Sequence, residues 1–346
     1  MIWKPFGTGQ SYQLGIDIGT ASIKVVELEH VGNRARLTNY VQYSGNGKGS
    51  AIHYSALKIL DTQVIAIVRQ MLERARISTK EASIAIPLFS SFSTLLELPG
   101  LSEDELDQAV QYEARKYIPL PMSEVQFDWI KIEHLSGEQK SKVLAVAVPN
   151  EVIEKYYRIA KALGLELKHV ELETFSAARA LLDENKDPVV LLDIGSRTSN
   201  ISVVEQGVVV MHHNIDVSGF GFTRTLARGL AVDLERADTM KHEQGMAGQK
   251  QVAELLGPLL DKIIAEIEKI VEDYINQGGN RAQKIVMTGG SAHMAGLSDY
   301  IQQRAHIPTV IGDSLSHIEV SEELKGPMKT KASSFAIAIG LALRTM

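Results

Sequence analysis

Asp17 lies in "LGIDIGTASIKVVELE" (Leu14–Glu29) and Asp193 in "LLDIGSRTSNISVVEQG" (Leu191–Gly207). The two stretches share one pattern. An Asp closes an apolar run, a Gly stands two positions on, small hydroxyl residues follow, and a second apolar run begins. Gly19 and Gly195 let the backbone come close to a phosphate. The N–H groups of a turn at Gly19, Thr20 and Ala21, with the hydroxyls of Thr20 and Ser22, can donate to phosphate oxygens. Lys24 can neutralise charge. The Asp17 carboxylate repels a phosphate and needs a cation between them, for which Mg²⁺ held through water is the natural choice. Asp193, Gly195, Ser196, Thr198 and Asn200 stand in corresponding places in the second copy, with Arg197 among them. One such turn alone is most simply a β-turn in which Asp bonds its own backbone. Two copies, each heading one half of the chain, point to a clamp on a polyphosphate and its metal.

Two further segments fit the same purpose. In "TGGSAHMAGL" (288–297), Gly289, Gly290 and Ser291 follow a strand and open towards a helix, where the missing side chains let a nucleoside lie flat. In "ERADTMKHEQG" (235–245), Asp238 and Lys241 are three apart on one helical face and can reach a ribose and a base. By itself that pair reads more simply as a solvated surface couple.

Bulk properties narrow the alternatives. The chain has 346 residues, 45% hydrophobic and 23% charged, with a net charge of −6, enough for two domains of average composition. An acidic balance argues against nucleic acid, and Trp3 and Trp129 form no stacking platform. There is no Cys, which removes disulfides, thiolate nucleophiles and thiolate zinc sites. No apolar run reaches the roughly 18 residues of a membrane span, and "MIWKPFGTGQ" lacks the apolar core of a signal peptide. The expected location is the cytoplasm, with any membrane contact made through a partner. No G-x-x-x-x-G-K-S/T, H-E-x-x-H or G-x-S-x-G occurs, and the adjacent His212 and His213 on a strand point to opposite faces.

The elements that must position these residues follow from periodicity. Residues 13–43 read as three strands with a turn at Val31-Gly32-Asn33, and "GNGKGS" (45–50) as a loop. Asp61–Arg76 has helical spacing. From 82 to 172 the order β-β-α-β-β-α-β reads as a small α+β module. It has a capping box at Ser102 and Glu105 opening a helix to Tyr117, a polar turn at Ser136-Gly137, and a helix Glu151–Leu163 capped by Asn150 and ended by Gly164. After the second hairpin (189–217) come helices at Phe222–Leu230, Leu234–Glu243 and Val252–Asn276, with Gly257-Pro258 breaking or kinking the start of the last. "SSFAIAIGLALRTM" reads as a closing helix.

These segments, in this order, resemble the actin-type ATPase superfamily. The resemblance implies an α/β fold in which two ribonuclease-H-like halves surround a nucleotide cleft. Asp17–Lys24 and Asp193–Asn200 are then the phosphate loops and Gly289-Gly290-Ser291 the adenosine loop. "ELETFSAARALL" becomes the first connecting helix, with Glu173 facing the metal and the attacking water. "SSFAIAIGLAL", with Ala336 and Gly340, becomes the second connecting helix, packed closely on the first. Within the superfamily, "GIDIGTASIKVVELE", "LPGLSEDELDQAVQYEARKYIPLPMSEVQFDW" and "AIAIGLALR" are similar to the PilM family of type IV pilus assembly, across nearly the whole chain. FtsA has a similar insert but continues into an amphipathic membrane helix, and GspL into a transmembrane span, for which this chain offers no room after Met346.

The resemblance implies this division: 10–81, 172–187 and 330–346 form the first core; 82–171 the insert; 188–217 and 282–329 the second core; and 218–281 a helical lid. It implies a cytoplasmic scaffold, peripheral to the inner membrane through its partners. The expected ligands are ATP, Mg²⁺ and the cytoplasmic N-terminal peptide of PilN, with a weak ATPase at most. Motor ATPases, other platform proteins and ring assembly are further implied partners. The peptide groove is expected between the first core and the insert, near Leu95–Leu98 and Tyr112–Tyr117, with modest positive coupling to ATP. Arg197 stands where many relatives have Gly, and either reaches a phosphate or crowds the loop. Asp238 replaces a longer Glu, and "SGFGFT" (218–223) separates two glycines that often adjoin. Two other readings are a small-molecule kinase, with Asp193 as general base, and an ATP-dependent filament former like bacterial actins.

Overall fold

The structure is a computed structural model and describes residues 11–32, 34–45, 61–132, 135, 139–182 and 187–344. The N-terminal stretch to 10, Asn33, the loop after Gly45 and the turn at Ser136-Gly137 lie outside the described residues.

The first half is built on a six-stranded sheet. Strands β1 (Ser11–Ile18), β2 (Ser22–Val31) and β3 (Arg34–Ser44) form an antiparallel meander. β4 (Glu81–Ile86) and β8 (Glu166–Leu172) add in parallel on the β1 side, and the short β14 (Glu319–Val320) adds in parallel beside β3. Side chains alternate between the faces. Leu14, Ile16, Val25 and Ile84 face α1 (Asp61–Arg74) and α3 (Asn150–Leu163). Val26, Leu28 and Leu37 face the opposite way, onto α4 (Glu173–Leu181) and, following the short α9 (Glu322–Lys329), α10 (Ala336–Ala342).

The second half repeats the plan with five strands in the order β11-β10-β9-β12-β13. These are β9 (Val189–Ile194), β10 (Ser199–Glu205), β11 (Val208–Ile215), β12 (Lys284–Thr288) and β13 (Thr309–Ile311). One face, with Leu191, Val204, Val209 and Val286, closes onto the same α4 and α10. The other, with Leu192, Ile201, Val203 and Met287, is covered by α5 (Gly219–Leu230), α6 (Leu234–Glu243), α7 (Lys250–Asn276) and α8 (Leu297–Ala305). α4 and α10 are thus a central pair shared by both sheets. Pro258 lies inside α7, eight residues or just over two turns after Lys250, and the helix continues through it without the one hydrogen bond that a proline cannot donate.

The insert is narrower than 82–171. β4 and β8 pair in parallel with the first-half sheet, which their near-continuous apolar runs suit, and α3 packs on that sheet beside α1. What remains is a three-stranded antiparallel sheet of β5 (Phe92–Pro99), β7 (Lys140–Pro149) and β6 (Val125–Lys131), with α2 (Glu103–Ala114) on one face. Leu96, Leu98, Val143, Ala145 and Ala147 pack on Leu106, Val110 and Ala114 of α2. α2 begins with the expected capping box, in which the Ser102 backbone N–H donates to Glu105 Oε2 at 3.1 Å. α3 starts after Pro149, one residue earlier than a cap by Asn150 requires, and ends in a left-handed Gly164 as expected. The other face of the insert sheet contributes Leu144, with Ile132 and Leu135, to the core of the second half. Buried Lys142 of β7 donates to Gln277 Oε1 at 2.8 Å, just past the end of α7. Among the described residues no helix is long and apolar enough to cross a membrane.

Candidate nucleotide cleft

The ends of β1, β9 and α4 bring three carboxyl groups to one place. Asp17 and Lys24 are register partners across the β1–β2 turn, and Lys24 Nζ donates to Asp17 Oδ2 at 3.4 Å. Asp193 holds the matching position before the β9–β10 turn, opposite Asn200. Glu173 is the first residue of α4. Its Oε1 accepts the Leu88 backbone N–H at 2.9 Å and the Asn200 amide at 2.8 Å. Burial pushes the Glu173 carboxyl up to about 8, and the Asp193 charge adds to it, against the pull of the Leu88 and Asn200 hydrogen bonds. Burial and then the Asp17 charge push Asp193 up to about 6, against Lys24. Among the described residues Asp193 makes no ion pair, so two acids share one lysine. A divalent cation suits that excess of negative charge. No three acidic or histidine side chains among the described residues stand close enough to cage one, so a metal here would be held mainly through water.

The glycines set the approach distances. A Cβ on Gly289, which has φ +90°, would lie 2.4 Å from Asp193 Oδ1 and 2.6 Å from the Ile194 carbonyl, so this turn packs directly on the second Asp loop. Gly290 has nothing within 4 Å of its Cβ direction and leaves open space. The start of α5 docks on the same loop: Gly219 N–H donates to the Gly195 carbonyl at 2.8 Å and Phe220 N–H to the Ser196 carbonyl at 3.1 Å. Ser291 is buried, its hydroxyl 2.4 Å from where a Gly219 Cβ would stand. It therefore fills the join between α5 and the Gly289 turn. Gly19, Thr20, Ala21 and Ser22 form the first turn, none of them fully buried, with Gly195, Ser196 and Thr198 as their counterparts.

Four of the expected binding residues also make contacts within the chain. Asn200 donates one amide hydrogen to Glu173 and accepts from Asn214 Nδ2 at 2.6 Å, so it positions the acid. Asp238 and Lys241 are no surface couple. Lys241 is 5% exposed, and its ammonium meets Asp238 Oδ1 at 2.5 Å, Thr223 Oγ1 at 3.1 Å and the Gly219 carbonyl at 3.4 Å. Three acceptors occupy its three protons, so Lys241 positions Asp238 and the start of α5. Burial pushes the Asp238 carboxyl up, but Lys241 and Thr223 outweigh it and keep it below its ordinary value. Among the described residues Arg197 pairs with no acid; its side chain is exposed and its guanidinium lies 4.4 Å from the centre of the Phe89 ring. His212 and His213 point apart, to Ser93 and to Glu266.

A family model described as "Type IV pilus assembly protein PilM" matches residues 15–346. This chain belongs to the PilM family. The solved structure named "PilM-PilN type IV pilus biogenesis complex" superposes with a TM-score of 0.81 at 20% identity, covering 96% of this chain and 98% of that one. MreB5 of Spiroplasma citri, solved bound to ADP, has a TM-score of 0.53 at 12% identity, over 95% and 94% of the two chains. Cell division protein FtsA of Staphylococcus epidermidis is 20% identical over 362 residues, 88% of this chain and 76% of its own. The fold is that of the actin-like ATPases, with the insert between β4 and β8.

In this PilM-family chain, Leu88, Phe89, Asn214 and Thr223 complete the site without any signal in their local sequence. Asn214 faces Asn200 only through the β10–β11 register, and Leu88 contributes a backbone N–H. The raised carboxyls give a pH prediction. A proton held in the folded state and released on unfolding lowers stability as pH rises from the ordinary carboxyl range through the folded value. The urea midpoint of the metal-free protein should therefore fall as pH rises from about 4 to about 8, with Glu173 carrying the part above about 6. Glu173→Gln should remove most of that slope, and an unchanged slope would refute the burial of this acid.

Proposed function

We propose that this chain is the ATP-binding scaffold of a type IV pilus assembly machine, and that it holds the cytoplasmic N-terminal peptide of a PilN-type inner-membrane protein. The observation that carries the reading is the superposition of 96% of this chain on a chain of the structure named "PilM-PilN type IV pilus biogenesis complex". The cleft supplies the chemistry. Backbone N–H groups of Gly19–Ala21 and Gly195–Ser196, with the Ser22 and Thr198 hydroxyls, donate to phosphate oxygens. Asp17 and Asp193 hold Mg²⁺ through water, and the metal supplies charge neutralisation at the phosphates. The open side of Gly290 takes the nucleoside, and Asp238 accepts from a ribose hydroxyl.

Glu173 would orient the attacking water; in the metal-free protein burial raises its carboxyl, which weakens it as a base. Slow hydrolysis at most follows, with nucleotide acting chiefly through the populations of open and closed forms.

The peptide is expected at the insert. Leu96 and Leu98 are committed to the insert core, and Leu95 packs on the core of the second half. Tyr112 and Tyr117 are 67% and 56% exposed and are the aromatic anchors this face can offer. The test is a fluorescence-anisotropy titration of a labelled PilN N-terminal peptide from the same genome, with and without Mg-ATP. Saturable binding that tightens modestly with Mg-ATP is expected. Absence of binding in both conditions would remove the partner from the reading.

A further inference from the structure

We propose that Arg197 distinguishes a triphosphate from a diphosphate in the cleft, and that it signals the difference to the insert by leaving the ring of Phe89. The proposal rests on the nucleotide reading above. Arg197 sits between Ser196 and Thr198 in the second Asp loop, and is exposed. The other cations of the cleft are committed: Lys24 to Asp17 and Lys241 to Asp238, Thr223 and Gly219. Among the described residues Arg197 has no acidic partner within ion-pair distance, and its guanidinium lies on the face of Phe89 at 4.4 Å. The extra charge of a terminal phosphate therefore meets this guanidinium first. An exposed cation–ring contact is weak because water competes with it, whereas guanidinium and phosphate make paired, charge-assisted bonds. The phosphate wins the competition.

Phe89 is placed to carry the news. It lies in the 3-10 turn Leu88–Ser90, at the point where the chain leaves β4 for the insert. The same turn gives the Leu88 N–H to Glu173, and β5 begins two residues after it at Phe92. On β5, Ser93 bonds His212 of β11, a partly buried contact with the second half. The root of β5 thus has two ties to the second half. The Ser93–His212 tie is partly buried; the Phe89–Arg197 tie is the more exposed of the two and is the one a polyphosphate can undo. Release of Phe89 frees the turn at the root of the insert without disturbing the insert core.

Phe89→Trp in the full chain turns the ring into a reporter, with the wild-type signal of Trp3 and Trp129 subtracted. Mg-ATP and Mg-AMP-PNP should shift the Trp emission at saturation, and saturating Mg-ADP should not. Adding Arg197→Ala should abolish the shift and lower triphosphate affinity, measured by calorimetry, by about tenfold, with ADP affinity changed less than about twofold. Arg197→Lys, which keeps the charge and loses the fork, should recover part of the affinity. Equal shifts with ADP and ATP, a shift that survives Arg197→Ala, or triphosphate binding with unchanged emission would each overturn the proposal while leaving nucleotide binding intact. If calorimetry shows that the wild type binds no nucleotide, the reading beneath it fails as well.

Discussion

Asp17→Asn should lower Mg-ATP affinity about 100-fold, equivalent to about 2.8 kcal/mol, while the nucleotide-free protein melts within a few degrees of wild type. The two halves of that expectation have separate causes. Asp17 is 5% exposed and its charge is one of the two that a hydrated metal would be held by. The neutral amide keeps the shape and loses the attraction. Stability changes little because opposing effects meet. Lys24 loses its partner at 3.4 Å, but Asp193 loses the negative charge that helps to raise its pKa. Calorimetry with and without Mg²⁺ separates metal-dependent from metal-independent binding. Undiminished Mg-ATP affinity in this variant would remove Asp17 from the site.

Gly340→Leu should cost more than about 4 kcal/mol of folding stability, a large share of the roughly 5–15 kcal/mol that a folded protein has. A Cβ at Gly340 would stand 1.8 Å from the Ser176 carbonyl oxygen of α4, and one at Gly15 would stand 1.8 Å from the Ala338 carbonyl oxygen of α10. Backbone meets backbone at both points, so no side chain can turn aside to make room. α10 is held between β1 and α4, with Arg179 Nη1 donating both to Glu171 Oε1 at 2.6 Å and to the Gly340 carbonyl at 2.8 Å. Moving α10 outward would break those bonds and open the core that both sheets share. Gly290→Ala is the matched control, since its Cβ meets nothing within 4 Å. It should leave the denaturation midpoint in place. A Gly340→Leu protein with a near-wild-type midpoint would contradict the described helix packing.

The parts of this molecule that were legible in sequence are those fixed by near neighbours. The D-x-G turns, the β1–β3 meander, the Ser102–Glu105 capping box and the small-residue helix around Gly340 each announce themselves within about a dozen residues. The limits of the insert did not, because an apolar strand such as β4 fits a small module or a large parallel sheet equally well, and only distant partners decide. Asn200, Lys241 and Arg197 show the same limit at the site. Their types suit a nucleotide, but the partners they have within the chain, Glu173 and Asn214, Thr223 and Gly219, and Phe89, come from segments distant in sequence. A residue type states what a side chain can bond; the fold decides which bond it already has.

The shared helix pair also sets an order of events during synthesis. His30 of β2 bonds the Ala342 carbonyl at the end of α10 across 312 residues of sequence. At about 5–20 residues per second, the first hairpin leaves the ribosome roughly 15–60 s before the helix that covers it. Throughout that interval Val26, Leu28 and Leu37 have no α10 to lie against. Nascent chains of this protein should therefore depend on holdase chaperones until translation is nearly finished, and slowed ribosomes should cost it more yield than they cost a protein whose first sheet is closed by its next helix.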